Sequence, residues 1–283
     1  MKLSWIQGKS QSSTAANLDY YSQKIKEAAQ KNPAIIFLPE LMTSDYFAIK
    51  QDPANFKLAL ELDSPEIKEF QNLAKQLKID LMLPFFEKQS SALFFNSTIH
   101  INHQGQIVSH YRKMHIPDDP GFNEKYYFSP GDKGFVVTQC QEAKVGLLIC
   151  WDQWFPEAAR ITALKGAEIL YYPTAIGWDD NEDPSVYKSQ VEAWTTIMRA
   201  HAIANNVFVV AVNRTGREGH LNFWGHSFVA DPFGKILIQN ETEESVNHLD
   251  IDLAEIESAR RVWPFFRDRR VDAYGDITSK WLS

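Results

Sequence analysis

Apolar residues along the first part of the chain follow two different spacings. Short apolar runs at 2–7, 34–38 and 80–85 predict β-strands. The stretches 17–30 and 65–77 instead repeat apolar residues every three to four positions, which predicts amphipathic helices. Strands that alternate with helices are typical of an α/β fold, and we expect each of these helices to cover one face of a sheet.

The later part of the chain adds antiparallel pairs to this pattern. Strands at 169–172 and 207–212 bracket a predicted helix near 185–205. Two long stretches, 116–132 and 173–184, show no regular spacing, and loops of that length in a compact domain often carry function. Turn-forming sequences between apolar segments predict two hairpins: 92–101 with 106–111, and 227–230 with 235–239.

Composition favours one large core. The 283 residues are 44% hydrophobic and 13% aromatic, and no Gly/Ser-rich linker or repeat interrupts them. We therefore expect a single domain over 1–283. Two cysteines, without an export signal, do not indicate a disulfide framework, and Cys140 is interpreted as a packing or surface residue.

Charge and hydropathy exclude two classes of partner. A net charge of -7, from 29 basic and 36 acidic residues, argues against nucleic-acid binding, and Asp268 interrupts the one basic cluster, at 267–270. The N-terminus lacks a signal-peptide apolar region, and no apolar run approaches the roughly 18 residues of a membrane span. We expect a cytoplasmic protein that binds neither membrane nor nucleic acid.

Three reactive side chains each follow a predicted strand. Cys150 ends the apolar run 144–149, Glu40 follows 34–38, and Lys113 follows 106–111. A thiol, a carboxylate and an amine at strand ends form a set suited to acyl transfer. Taken singly, each has an ordinary interpretation as a buried thiol, a loop carboxylate or a solvated charge. The combination favours chemistry.

Two more candidate residues lie at the long loop 116–132: Glu124 within it and His115 directly before it. Glu124 adds a second carboxylate that could steer water or a substrate amide, and it could also be a surface residue. His115 is interpreted as positioning the loop rather than as the base.

Three ordered segments resemble the signatures of the nitrilase (carbon-nitrogen hydrolase) superfamily: Pro39-Glu40, 111–117, and 148–152 with 155–157. The resemblance implies a four-layer α-β-β-α sandwich. It also implies that Glu40 is the general base, Lys113 stabilises the oxyanion, and Cys150 is the nucleophile. Glu124 matches the additional glutamate of the amidase branches. This chemistry requires no metal and no organic cofactor.

Segments 115–132 and 173–178 further resemble the N-carbamoylputrescine amidase group. The implied partner is a small cationic carbamoyl amine, cleaved to putrescine, carbon dioxide and ammonia through an S-carbamoyl cysteine. Two alternatives stay open: a β-ureidopropionase-like or ω-amidase-like hydrolase of a carboxylate-bearing amide, and a non-catalytic binding module on the same fold.

A cationic substrate requires acidic groups for its ammonium and apolar surface for its stem. The backbone N–H of Trp151 is expected to be a second oxyanion donor, and aromatic rings to line the stem. The complete set of expected substrate-binding residues is Tyr46, His115, Trp151, Trp154, Trp178, Asp179, Asp180, Glu182 and Asp183.

The superfamily resemblance also implies a homo-oligomer. The segment 261–267 combines apolar and arginine residues, which suits an interface, although it could pack on its own subunit. We expect the chain from about residue 255 to form an oligomer-contact tail.

Overall fold

The structure is a computed structural model that describes residues 1–11 and 13–282. Its strands, in chain order, are β1 (Lys2–Gln7), β2 (Ile35–Phe37), β3 (Asp80–Lys88), β4 (Phe94–Ile101), β5 (Ile107–Arg112), β6 (Val136–Gln139), β7 (Lys144–Leu147), β8 (Ile169–Thr174), β9 (Gly177–Asp179), β10 (Phe208–Asn213), β11 (Thr215–Glu218), β12 (Leu221–Trp224), β13 (Phe228–Ala230), β14 (Ile236–Gln239) and β15 (Ser245–Asp250).

Helices connect these strands. The α-helices are α1 (Thr14–Ala29), α2 (Pro65–Leu77), α3 (Glu124–Tyr127), α4 (Pro156–Leu164), α5 (Tyr187–Asn205) and α6 (Ala254–Val262). Short 3₁₀ helices cover Phe47–Ile49, Pro53–Leu58, Cys150–Trp154, Pro184–Val186, Val271–Ala273 and Gly275–Thr278.

Two six-stranded sheets form the centre of the fold. The first has the order β15-β1-β2-β3-β4-β5, and the second has the order β14-β13-β10-β8-β7-β6. Helices α1 and α2 contact the first sheet, α4 and α5 contact the second, and the sheets meet where β1 contacts β10 and β5 contacts β6. This arrangement is the predicted α-β-β-α sandwich.

Large apolar side chains fill the space between the sheets. Trp5 and Phe37 from the first sheet and Tyr171 and Val209 from the second are fully buried in one continuous core. The rings of Phe37 and Tyr171 lie 4.7 Å apart between centroids. Because burying a large apolar side chain contributes about 1.5–3 kcal/mol, this layer holds the two sheets in a fixed relation.

A separate aromatic cluster lies over one end of the first sheet. Phe47 stacks on Phe86 with ring centroids 4.8 Å apart, and Tyr127 and Phe128 pack edge-on against the same rings. The cluster joins the chain after β2 to the loop that contains α3. It therefore fixes the position of Glu124, the first residue of that helix.

Most of the predicted elements are confirmed to within a few residues. The helix predicted at 65–77 is α2, and Ser64 caps it by accepting a hydrogen bond from the N–H of Ile67 at 3.4 Å. The stretches predicted to be irregular are partly ordered, since 116–132 contains α3 and 173–184 contains β9. Strand β9 forms because it pairs with β12, more than forty residues later in the chain.

Gly146 lets a helix approach the strand that leads to Cys150. A Cβ built on this glycine would lie 2.2 Å from Cγ2 of Thr162 in α4. Any side chain there would push α4 away from β7 and displace the 3₁₀ helix between them.

Candidate active site

Lys113 joins two carboxylates in the interior. Its Nζ lies 2.9 Å from Oε1 of Glu40 and 2.6 Å from Oε2 of Glu124, and all three side chains are almost completely buried. Burial lowers the pKa of Lys113, but the attraction of Glu124 and Glu40 outweighs this effect and raises that pKa above its ordinary value. The amine is therefore charged throughout the neutral pH range.

Strand ends bring these residues and Cys150 together. Glu40 follows β2 and Lys113 follows β5 in the first sheet, whereas Cys150 follows β7 in the second. The charges of Glu40, Lys113 and Glu124 all act on the Cys150 thiol. Glu40, Lys113 and Cys150 were expected to converge because each follows a strand, and the structure adds Glu124, the first residue of α3, to this group.

The two oxygens of Glu40 have different surroundings. Oε1 accepts hydrogen bonds from Lys113 Nζ at 2.9 Å and from Asn96 Nδ2 at 2.7 Å. Oε2 is buried and has no hydrogen-bond partner in the described part of the chain. A buried carboxylate oxygen left without a donor is able to accept a proton from a nearby acid or water.

Glu124 is a carboxyl group held between two donors. Besides Lys113, the hydroxyl of Tyr46 donates to its Oε1 at 2.8 Å. Burial raises the pKa of Glu124, Lys113 lowers it and the charge of Glu40 raises it, so that the pKa reaches about 7. This group therefore changes its charge in the neutral pH range.

Cys150 occupies an unusual backbone conformation. Its φ of 41° lies in the left-handed region, which non-glycine residues rarely adopt, at the start of the 3₁₀ helix Cys150–Trp154. Burial and the charge of Glu40 raise the pKa of the thiol, and Lys113 together with the N–H of Ala175 offsets this only in part. A raised pKa favours the neutral thiol, and a base is needed to form the thiolate that attacks.

Asp152 organises the turn that presents the thiol. Its Oδ2 accepts hydrogen bonds from the Tyr111 hydroxyl at 2.7 Å and from the Ile149 N–H at 2.9 Å. Its Oδ1 lies 2.7 Å from Nδ1 of His115, whose ring stacks on Phe155 with centroids 3.7 Å apart. In this arrangement His115 contacts the turn, as its interpretation as a positioning residue requires.

A cavity of about 580 Å³ opens onto Cys150 and Glu124. Its walls are formed by Pro117, Asp119, Pro120, Phe122, Glu124, Cys150, Trp151, Gln153, Trp154, Ala175, Ile176, Gly177, Asp179, Asn181, Glu182, Gln190, Ala193 and Trp224. Of the expected substrate-binding residues, Trp151, Trp154, Asp179 and Glu182 belong to these walls.

The other five expected substrate-binding residues lie outside the cavity walls: Tyr46, His115, Trp178, Asp180 and Asp183. Tyr46 is buried behind Glu124, as its hydrogen bond requires.

Three of these five are engaged elsewhere, which corrects the expectation that they face a substrate. The ring of Trp178 stacks on Tyr187 with centroids 5.0 Å apart. Asp180 forms a salt bridge with Arg217 on the surface. Asp183 accepts the N–H of Ser185 at 2.9 Å and caps a 3₁₀ helix. The turn after β9 and the pairing of β9 with β12 set the directions of these three side chains. The acidic composition of the segment reveals neither feature.

Asp179 is, besides Glu124, a buried carboxylate of the cavity wall. Its Oδ1 accepts hydrogen bonds from the N–H and the Nδ2 of Asn181 at 2.8 and 2.7 Å. Its Oδ2 lies 3.5 Å from Nε2 of His220. Within residues 1–11 and 13–282, no lysine, arginine or histidine lines the cavity. The walls thus suit a cation or a neutral group better than an anion.

Sequence reasoning did not find several residues that shape the site. Asn96 holds Glu40, and Asp119 and Gln153 line the cavity. Glu218 accepts the backbone N–H of Tyr46 at 2.6 Å. Asp119 lies inside the segment that carries the group resemblance, so its acidic character beside Glu124 was an available signal. Asn96 gave no signal, because it occupies an inward position of an ordinary strand.

Comparison with known proteins identifies the family. The family model described as carbon-nitrogen hydrolase matches residues 2–261. The chain is 42% identical over 287 residues to a citrullinase of Francisella tularensis subsp. tularensis, covering 99% of each chain. It is also 42% identical over 270 residues to an N-carbamoylputrescine amidase of Solanum tuberosum, covering 92% of this chain and 89% of the relative.

A solved structure agrees with these matches. The crystal structure of a carbon-nitrogen hydrolase from Helicobacter pylori G27 superposes with a TM-score of 0.97 at 39% identity, covering 100% of this chain and 99% of that one. Among the described residues, no helix is both long enough and apolar enough to cross a bilayer. The chain belongs to the carbon-nitrogen hydrolase family and is an amidohydrolase of non-peptide carbon–nitrogen bonds.

Proposed function

We propose that this enzyme hydrolyses N-carbamoylputrescine to putrescine, carbon dioxide and ammonia. The observation that carries the proposal is the composition of the cavity: Asp119, Asp179 and Glu182 line it, and no basic side chain of the described residues does. A substrate with a neutral carbamoyl head and an ammonium tail fits such walls, because an ammonium removed from water requires a hydrogen-bonded anion. The names of the plant relatives support the same substrate.

In the proposed mechanism, Glu40 removes the proton of the Cys150 thiol, and Oε2 is its free acceptor atom. The thiolate attacks the carbamoyl carbon, and the oxyanion that forms is stabilised by Lys113 and by the backbone N–H of Trp151. Glu40 returns the proton to the departing nitrogen, and ammonia leaves an S-carbamoyl cysteine.

Water completes the cycle. Glu40 removes a proton from a water molecule, the hydroxide attacks the carbonyl carbon of the S-carbamoyl cysteine, and the carbon–sulfur bond breaks with return of the proton to Cys150. The product carbamate decomposes to carbon dioxide and putrescine. Glu124 positions the substrate amide, since it lies at the cavity wall and Tyr46 and Lys113 hold its two oxygens in place.

The first experiment measures ammonia and amine release by the wild type and by Cys150→Ser. The substrates are N-carbamoylputrescine, N-carbamoyl-β-alanine and glutaramate, of which the last two carry a carboxylate. We expect release that depends on Cys150 and favours the cationic substrate. Preference for a carboxylate substrate would overturn the substrate proposal and retain the hydrolase. If Cys150→Ser released as much ammonia as the wild type, Cys150 would not be the nucleophile.

Citrulline is a second candidate, favoured by the 42% identity to a citrullinase over 99% of both chains. It carries the same ureido group on a tail with both an ammonium and a carboxylate. With no basic side chain described in the walls, its carboxylate lacks a charged partner there. Adding citrulline to the substrate panel decides between the two, and a higher kcat/KM for citrulline would replace the first proposal.

Asp179 is the residue that we propose to bind the substrate ammonium. Charged hydrogen bonds are worth about 1.5–3 kcal/mol, so Asp179→Asn is expected to raise KM for N-carbamoylputrescine roughly 10- to 100-fold. The matched control is Asp180→Asn, which removes the adjacent carboxylate outside the cavity. N-butylurea, a neutral substrate without the ammonium, should show little change in KM in Asp179→Asn. An equal rise in KM for both substrates would contradict a role of Asp179 in binding the ammonium.

We also propose that the protein is a homo-oligomer, and we place the contact between copies in the part of the tail that follows α6. The predicted tail from residue 255 begins in α6, where Ile256 and Ala259 are buried against the same chain. The later side chains of Val271, Ile277 and Trp281 are exposed and suit a contact between copies. Sedimentation of the full chain and of a Trp281→Ser, Ile277→Ser double variant tests this, with dissociation expected in the variant.

A further inference from the structure

A second reactive cluster lies between the two sheets. Asp80 begins β3, His100 lies in β4, and Cys140 follows β6 of the opposite sheet. All three side chains are buried, with exposures of 3% or less. Within the described residues, this is the group of three His, Cys, Asp or Glu side chains whose ligand atoms all lie within 4.8 Å of one another.

The distances within this trio approach those of a tetrahedral metal site. Nε2 of His100 lies 3.7 Å from Oδ2 of Asp80 and 3.9 Å from Sγ of Cys140. Zinc bonds of about 2.0–2.3 Å place neighbouring tetrahedral ligands roughly 3.3–3.7 Å apart. The two distances from Nε2 are therefore within a few tenths of an ångström of that range, and the oxygen of Asp80 and the Sγ of Cys140 lie within 4.8 Å of each other.

Hydrogen bonds hold two of the three side chains in place. Nδ1 of His100 is hydrogen-bonded to Oγ1 of Thr138 at 2.8 Å, which leaves Nε2 facing the other two residues. The carboxylate of Asp80 is held by the backbone N–H groups of His103 and Gln141, each at 2.8 Å. Such outer hydrogen bonds fix the tautomer and direction of metal ligands.

His103 lies beside the cluster at the protein surface. Its Nδ1 lies 3.3 Å from Oδ1 of Asp80, and its side chain is 43% exposed. Rotation of this ring toward the cluster would complete a set of two imidazoles, one thiolate and one carboxylate. Zinc prefers nitrogen and sulfur ligands in such closed four-coordinate sites.

We propose that Asp80, His100 and Cys140, completed by His103, bind one Zn²⁺ ion that joins the two sheets. On binding, the Cys140 thiol releases its proton to solvent. The site lies at the opposite end of the sheets from the candidate active site. Asp80 pairs with the first residue of β2 and Gln139 with the first residue of β7, whereas Glu40 and Cys150 follow the ends of those strands. The ion would therefore stabilise the sandwich without entering the reaction.

The experiment titrates Co²⁺ and then Zn²⁺ into chelator-treated full chain carrying Cys150→Ala, which removes the other thiol. We expect one cobalt per chain, a thiolate-to-cobalt charge-transfer band, loss of the band on addition of zinc, and a higher Tm with zinc. Cys140→Ser should lose the band. Thr138→Val, which removes only the hydrogen bond to His100, should weaken binding about 10- to 100-fold.

Several results would overturn the proposal. Absence of the band, or a band that persists in Cys140→Ser, would mean that the trio is a hydrogen-bonded network only. If Cys140→Ser fails to fold, alkylation of Cys140 in the Cys150→Ala protein replaces it. Zinc is expected to slow that alkylation at least tenfold, and an unchanged rate would reject the site.

Discussion

Two buried clusters, built around adjacent cations at the end of β5, differ in how completely their charges are paired. Arg112 donates to Glu87, Gln89 and Asp132, and its guanidinium carbon lies 3.8 Å above the ring of Phe95. Lys113, whose side chain points to the other side of the chain, has Glu40 and Glu124 as partners and leaves one oxygen of Glu40 free.

The difference is visible in the carboxyl pKa values. Burial raises the pKa of Glu87, but hydrogen bonds from His110 and Arg112 outweigh it and lower that pKa to about 2. Burial of Glu124, reinforced by the charge of Glu40, outweighs Lys113 and raises the pKa to about 7. A fully paired cluster resists proton exchange and serves stability, whereas an incompletely paired one titrates near neutrality and can move protons.

The largest expected effect comes from removing either cation. Lys113→Met should lower kcat by at least about two to three orders of magnitude, because it removes an oxyanion donor. The fold should persist, because the charge of Lys113 holds the pKa of Glu124 down and its loss favours the neutral form of that carboxyl. Steady-state kinetics with a thermal melt measures both. Full turnover in a natively melting Lys113→Met protein would remove the oxyanion role.

Arg112→Met is the matched control, with the opposite pattern. It removes the ionic partner of the buried Glu87, which keeps its contacts with His110 and Ser97, and losing one partner of a buried ion pair typically costs about 3–5 kcal/mol of unfolding free energy. Turnover per folded molecule should stay near that of the wild type. If Arg112→Met proved as inactive as Lys113→Met while still folded, the two clusters would not be separable in function.

Glu87 should contribute stability that acid removes. Its folded-state pKa of about 2 lies below the ordinary 4.5, so its stabilisation is complete above the unfolded pKa and is lost as pH falls through the folded one. At about 1.4 kcal/mol per pKa unit, the contribution is about 3 kcal/mol at pH 7, and about 2 kcal/mol of it disappears by pH 3. Urea unfolding of the wild type and Glu87→Gln at both pH values measures this, and a pH-independent difference would contradict it.

Glu124 should show the opposite sign. Its folded-state pKa of about 7 lies above 4.5, so the stability linked to its proton is complete below 4.5 and is lost as pH rises through 7. Between pH 6 and pH 8 the wild type should lose about 1.4 kcal/mol that Glu124→Gln keeps. Urea unfolding measures the difference. The kcat/KM profile should also lose an inflection near pH 7 in Glu124→Gln, and an unchanged profile would assign that inflection to another group.

The sequence allowed these clusters to be predicted only in part. Glu40, Lys113 and Cys150 were found because each follows a strand and lies in a recognisable segment, and the structure brings them together with Glu124. Arg112 lies in the recognisable segment 111–117, but nothing in the sequence indicated its partners. Its partner Glu87 lies at the end of β3, two strands away, and pairing across strands leaves no local pattern in the chain.

The acidic segment 179–183, which begins at the last residue of β9, also could not be interpreted fully from the sequence. Asp179, Asp180, Glu182 and Asp183 have equivalent chemistry in the sequence, yet Asp179 and Glu182 line the cavity while Asp180 and Asp183 do not. Strand β9 has three residues and takes its register from β12, where Asp179 pairs with Leu221. Since side chains alternate along a strand, that distant pairing decides which way Asp179 faces. The other three acids follow the strand, where the N–H of Glu182 bonds to the carbonyl of Asp179 in a turn.

The smallest expected effect concerns the outer partner of Arg112. Asp132 accepts from Arg112 at 2.9 Å but is 59% exposed, and pairs open to solvent contribute less than about 1 kcal/mol. Asp132→Asn should therefore lower the unfolding free energy by less than that amount and leave kcat unchanged. Urea unfolding with kinetics on the same sample gives both values. A loss of unfolding free energy comparable to that of Glu87→Gln would contradict this expectation. It would show that the exposed partner of Arg112 stabilises the cluster as much as the buried one.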